Sequence, residues 1–176
     1  MNFCAVRFNL YLLLAVVALT GCQTHKHEKK DKHVSMLRFH LENKAQVGGT
    51  GRTVSVLRSE PVLVTINNEP SLTEREIVKA QLLETPGGFA IEVKFNETGT
   101  WALEQFTSAN SGRHFAIFSQ WSDKAKDSRW IAAPIISHRI ANGVFSFTPD
   151  TSREEAQAIV VGLNNMAEQL AKEEMK

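Results

Sequence analysis

The chain has 176 residues, 43% of them hydrophobic and 22% charged, with 20 Lys and Arg against 19 Asp and Glu, a composition that excludes wholesale disorder. A formal net charge of +1 offers no broad electrostatic footprint to a polyanion, which argues against nucleic acid as a partner. Both cysteines, Cys4 and Cys22, fall near the N-terminus, so the rest of the chain can build neither an intrachain disulfide nor a thiolate metal cluster.

Residues 1–21 read as a secretory signal. Arg7 supplies the positive start, and Leu10 to Leu19 is an uncharged apolar run of signal length, too short for the roughly 20 apolar residues of a membrane span. The run ends in Leu19-Thr20-Gly21-Cys22, which resembles the lipobox of bacterial lipoproteins. That resemblance implies cleavage before Cys22, alkylation of its thiol and acylation of its amine. At about 0.8 kcal/mol per buried methylene, several acyl chains make a durable membrane anchor. The mature chain is neutral once Arg7 is lost. The same resemblance implies, from the non-acidic Gln23 after the lipidated position, an outer-membrane place in the envelope, facing the periplasm.

Residues 22–33 form a flexible polar tether, because Gln23 to His33 contains no apolar side chain and cannot offset the entropy of ordering. His25 and His27 are close enough to chelate one cation, but no further ligands surround them and a plain spacer is the simpler reading. Lys26, Lys29, Lys30 and Lys32 could touch anionic headgroups, an attraction that Glu28 and Asp31 weaken.

Residues 34–176 show the periods of a single folded α+β domain. Leu37, Phe39 and Leu41 alternate as in a half-buried strand, Gly48 to Gly51 marks a loop, and Val54 to Val56 and Val62 to Ile66 read as further strands. Thr73-Glu74-Arg75-Glu76 is a capping box; Ile77, Ala80 and Leu83 follow at three-residue steps, predicting a short helix that ends near Glu84 before Pro86-Gly87-Gly88. Phe89, Ile91, Val93 and Phe95 alternate with polar or small residues as a strong strand. Asn96-Glu97-Thr98-Gly99 turns into a helix carrying Trp101, Leu103 and Phe106, which closes near Gly112 in a left-handed cap. His114 to Ser119 and Trp130 to Ile136 predict a hairpin around the polar stretch Ser122 to Arg129. Val144 to Phe147 is a last strand. Thr151 with Glu154 and Ser152 with Glu155 both signal a final helix, whose apolar face is Ala156, Ile159, Val160, Leu163, Ala167 and Leu170.

From Leu72 to Asn165 the chain resembles the first periplasmic, or head, domain of the SecD and SecDF protein-translocation subunits. The resemblance rests on the order of Leu72-Thr73, Val93-Lys94-Phe95 with Gly99, Phe106 to Arg113, His114 to Ile117, Ala132-Ala133-Pro134-Ile135-Ile136, Gly143, and Phe147-Thr148 ahead of Glu154-Glu155-Ala156. It implies an antiparallel sheet covered on one face by two or three helices. The membrane region that carries proton-linked acidic residues in such subunits has no counterpart after Leu19, so proton-driven pulling does not transfer and at most a substrate-facing surface does.

Catalytic motifs are missing: no G-x-S-x-G, H-E-x-x-H, P-loop or dinucleotide fingerprint occurs, and neither cofactor nor metal is expected. His40, His114 and His138 are the only histidines after the tether, and Arg113 and Arg139 beside two of them suggest basic surface rather than a general base. Trp101, Trp121 and Trp130 remain. They either pack across strands or, for Trp121 and Trp130 at the base of the hairpin, offer an apolar contact to an extended polypeptide. The expected function is a non-enzymatic, membrane-anchored accessory module that contacts exported polypeptides or an envelope complex. The alternative is a structural or regulatory lipoprotein that reuses the fold.

Overall fold

The computed structural model describes residues 33–43, 51–58, 60–122 and 127–175. Cys22, the signal and the tether histidines His25 and His27 lie outside the described residues, as do 44–50 and the tip of the hairpin at 123–126. Residues Lys32–Lys176 form one compact unit.

The chain runs through β1 (Met36–Leu41), β2 (Gly51–Val56), β3 (Val62–Asn67), a 3-10 turn (Glu74–Glu76), β4 (Ile77–Thr85), β5 (Gly88–Phe95), α1 (Glu97–Ala109), β6 (Phe115–Gln120), β7 (Ser128–Ala132), β8 (Val144–Phe147) and α2 (Arg153–Glu174). All strand pairs are antiparallel, and the class is α+β. The strands divide into two three-stranded sheets, β1-β6-β7 and β4-β5-β8, and the separate hairpin β2-β3.

Alternation decides which residues enter the core. Leu37, Phe39 and Leu41 of β1 and Phe115 and Ile117 of β6 point inward, to meet Ile91, Val93 and Phe95 of β5, Phe145 and Phe147 of β8, and Ile159 and Leu163 of α2. Phe39, fully buried, sits where the two sheets meet. Its ring lies edge-on to Phe95 at 5.8 Å, Phe145 at 5.7 Å, Phe115 at 6.1 Å and Phe147 at 6.3 Å, the geometry that aromatic quadrupoles favour. The other face of the first sheet carries Arg38, His40, Ala116, Phe118 and Trp130. The β2-β3 hairpin packs there, around Val56, Val64, Ile66 and Ala116.

The segment after the capping box corrects the sequence reading. Thr73 caps as expected: its N–H donates to Glu76 Oε2 at 2.8 Å, and its hydroxyl accepts from the Arg75 amide at 3.3 Å. Only one 3-10 turn follows, and Ile77–Thr85 is a strand paired with β5. The helical spacing has a different cause. The ladder slips between Ile77 and Lys79, so Val78 is an extra, bulged residue, and the bulge returns both Ile77 and Ala80 to the core face three positions apart. Leu82, rather than Leu83, then packs against the core.

Other boundaries shift less. β7 stops at Ala132 ahead of Pro134, and Ile135 returns only as an isolated bridge to His114. At α2, Ser152 and Glu155 form the capping box that is used. Ala156, Ile159, Val160 and Leu163 are buried, whereas Ala167 and Leu170 are half-buried and line a groove against β4.

The turn before β8 depends on Gly143. Its φ is +69°, and a Cβ there would overlap the Thr100 side chain of α1. Left-handed backbone costs a non-glycine residue about 1–2 kcal/mol, and overpacking about 1–3 more. Gly143→Ala is therefore expected to lower stability by about 2–5 kcal/mol, read as a lower urea midpoint at unchanged slope. A midpoint within error of the parent would refute the strain.

Candidate functional site

The three tryptophans have separate fates. Trp101 of α1 is 66% exposed, whereas Trp121 is 7% exposed and belongs to the main core. The Arg129 guanidinium lies 4.8 Å from the centre of the Trp121 ring. Arg129 also donates two hydrogen bonds to the Glu155 carboxylate, at 2.9 and 3.2 Å, and one to the Asp150 carbonyl at 2.8 Å. This fork holds the start of α2 against β7, and the Arg129 hydrogen bonds push the Glu155 carboxyl below its ordinary range. Trp121 is thus a packing residue with no ring face open to a ligand. The hairpin brought it close to Trp130 in sequence, but the two side chains serve different layers.

Trp130 is half-buried on the opposite face of its sheet, edge-on to His40 at 5.2 Å and to Phe118 at 5.4 Å. Arg52 of β2 stands over it, 5.7 Å from the ring centre. His40 is 4% exposed and its Nδ1–H donates to the Asn67 carbonyl at 3.0 Å. Burial, and after it the nearby Arg52 and Arg38, holds its pKa below the usual value, although the Asn67 bond and Glu69 act the other way.

A group whose folded pKa is depressed stabilises fully above its unfolded value, about 6.5 for histidine, and loses that contribution as pH falls toward the folded one. Urea midpoints should therefore fall between pH 7 and pH 5, and His40→Gln should remove part of that fall; an equal fall in both proteins would contradict it.

His114 is engaged elsewhere: its ring Nδ1 and its backbone N–H both meet Glu42 Oε2, at 2.8 and 2.9 Å. His138 is exposed beside Ser137. The Ser137 hydroxyl lies 2.9 Å from His138 Nδ1 on an exposed segment. Among the described residues no group of three or more His, Cys, Asp or Glu could hold a metal ion. No described helix is long and apolar enough to cross a membrane.

Strand order exposes a site that hydrophobic patterning does not signal. The edge of β4 is covered by α2, where Asn164 accepts from the Ala80 N–H at 2.9 Å and donates to the Ala80 carbonyl at 3.0 Å. Its amide thus stands in for a neighbouring strand. Because the Ala80 backbone points away from β5, the backbone of Val93, its partner, points toward β8. Phe145 and Phe147 therefore bond β5, while Val144 and Ser146 turn their backbone groups outward. The Val144 N–H is taken by the Asn142 side chain at 3.1 Å. The Ser146 N–H and carbonyl face an open groove of about 530 Å³ between β8 and the segment Pro134 to Asn142.

That groove has a fixed wall. Ile140 N–H donates to Thr107 Oγ1 of α1 at 2.9 Å, Arg139 pairs with Glu104, and backbone bonds tie Ile136 to Gly112 and Arg113. Ile135, 60% exposed, stands in its lining with Ile136, Ile140 and Val144. An unpaired strand edge beside apolar side chains suits the addition of an extended segment.

Antiparallel sheets with an aromatic core and two helices define an α+β domain. The sequence also matches the family model of the SecDF P1 head subdomain over residues 52–167, more than half of the chain, and the chain belongs to that family. A solved structure of SecDF, described as a membrane component that enhances protein export, shares the fold with a TM-score of 0.53 and 21% identity, over 76% of this chain and 64% of that one. SecDF in its super-membrane-facing form aligns with a TM-score of 0.54, again at 21% identity and 76% coverage. The chain spans only 19% of that second protein. No curated protein matches the chain.

Proposed function

We propose that this protein is a non-enzymatic accessory domain of protein translocation, held at the periplasmic face of the envelope by a lipidated Cys22, and that it contacts exported polypeptides. The observation that carries the contact is the open β8 edge. Outward backbone groups at Ser146 lie beside a groove lined by Ile135, Ile136 and Ile140, so a chain without structure of its own can add as a strand and seat alternate side chains. Membership of the SecDF P1 head family supports the translocation setting. Trp130 is the second contact in this reading, its half-buried ring offering apolar surface on the first sheet; Trp121 supports the sheet from within.

Ser146→Pro tests the edge selectively. Proline removes the outward N–H and leaves the bonds of Phe145 and Phe147 to β5 in place, as edge strands tolerate. With a photo-crosslinker at Ile135 in intact envelopes, the parent should capture many unrelated precursor chains, and Ser146→Pro and Trp130→Ala, each folded by circular dichroism, should capture far fewer. One stable partner, unaffected by either substitution, would instead support a structural or regulatory lipoprotein and overturn the polypeptide-contact reading. Incorporation of labelled palmitate, lost in Cys22→Ser, is the expected result for the anchor.

A further inference from the structure

Three side chains cross the outer face of the first sheet in one row. Arg38 lies opposite Phe118 and Phe118 opposite Trp130 in the strand register. The β2-β3 hairpin places Arg52 above the row, against Trp130. Between them opens a cleft of about 400 Å³, floored by His40, Phe118 and Trp130 and rimmed by Asn68, Glu69 and Pro70.

The two guanidinium groups pair with no carboxylate among the described residues, although Arg58, Arg129, Arg139 and Arg153 each reach one. Arg38 Nε is buried with no acceptor. A buried donor left without a partner is destabilising unless a ligand or water supplies the oxygen. Glu69 is the single carboxylate in the lining, so two cations against one anion leave one positive charge when His40 is neutral.

We propose that this cleft binds a carboxylate group, held by Arg38 and Arg52, with Phe118 and Trp130 against the carbon skeleton that carries it. The planar guanidinium fork matches a carboxylate in two parallel hydrogen bonds. The single net charge suits a monoanion better than a phosphate dianion, which Glu69 would repel. An aromatic floor beside a cationic wall selects an organic acid over an inorganic anion. Two sources share this chemistry: a free small acid, and the side chain of Asp or Glu in a polypeptide. The cleft lies on the outer face of β1-β6-β7, apart from the β8 edge, and shares Trp130 with the polypeptide contact proposed above.

The indole N–H resonance of Trp130, assigned by its loss in Trp130→Phe, reports on the cleft, with Trp101 and Trp121 as internal controls. Titration with benzoate is expected to shift the Trp130 signal saturably and leave the other two unmoved. Arg52→Gln, on an exposed strand of the hairpin, should weaken binding at least tenfold without changing the circular dichroism; Arg38→Gln should do the same where the fold is retained. A blocked tripeptide containing Glu that binds, while its Gln counterpart does not, assigns the ligand to polypeptide side chains. Binding of benzoate without the Glu tripeptide assigns it to small acids. Absence of any saturable shift, equal affinity in Arg52→Gln, or tighter binding of inorganic phosphate than of benzoate would overturn the proposal.

Discussion

Phe39→Ala is expected to remove about 3–5 kcal/mol of stability, the range for deleting a fully buried phenylalanine. The ring is fully buried and touches four other phenylalanines drawn from β5, β6 and β8. Its loss leaves a cavity bounded by both three-stranded sheets, which cannot collapse from one side without breaking strand register. Against a typical total of about 5–15 kcal/mol, the variant should unfold at a far lower urea concentration and lose near-ultraviolet circular dichroism early. Phe39→Leu, which keeps most of the volume, should cost markedly less. Equal losses in the two variants would show that the contacts around the ring do not govern the core.

Asn164→Leu is expected to cost about 2–6 kcal/mol, although the side chain keeps nearly the same size. The amide satisfies both the N–H and the carbonyl of Ala80, a residue 3% exposed, and leucine leaves both without a partner. Each unsatisfied buried backbone group costs about 1–3 kcal/mol. The second consequence is local: hydrogen exchange at the Ala80 amide should accelerate far more than at Val93, whose amide stays within the sheet. Unchanged exchange at Ala80 would refute the assignment of Asn164 as an edge cover.

Much of the fold was legible because local patterns and tertiary demands agree. The alternation of Phe89 to Phe95 and of Leu37 to Leu41 fixed two strands and their core faces, and the Asn96 to Gly99 turn and the Thr151-Ser152 pair marked the two helix starts, at which the structure uses Asn96 and Ser152 as caps. The segment after Thr73 was misread because a bulge at Val78 imitates helical spacing, and the bulge exists only through pairing with β5. Trp121 and Trp130 looked equivalent at the base of one hairpin. Their separation into core and outer face follows from strand parity, since Trp130 pairs with the outward Phe118 while Trp121 continues the inward set of Phe115, Ile117 and Ser119, which single-residue polarity does not record.

By itself the sequence determined the α+β class, the inward residues of the regular strands, the two helix starts and the family resemblance, since these depend on alternation, capping and turn chemistry within short windows. The tertiary structure alone decided which sheet edges are closed and which stay open. Asn164 reaches β4 from a helix 84 residues away in the chain, and β8 keeps one side unpaired because no later strand returns to it. It also brought Arg38 and Arg52 into one cleft with Trp130. Long-range pairing sets such juxtapositions, and the hydrogen bonds and charges that create them lie far apart along the chain.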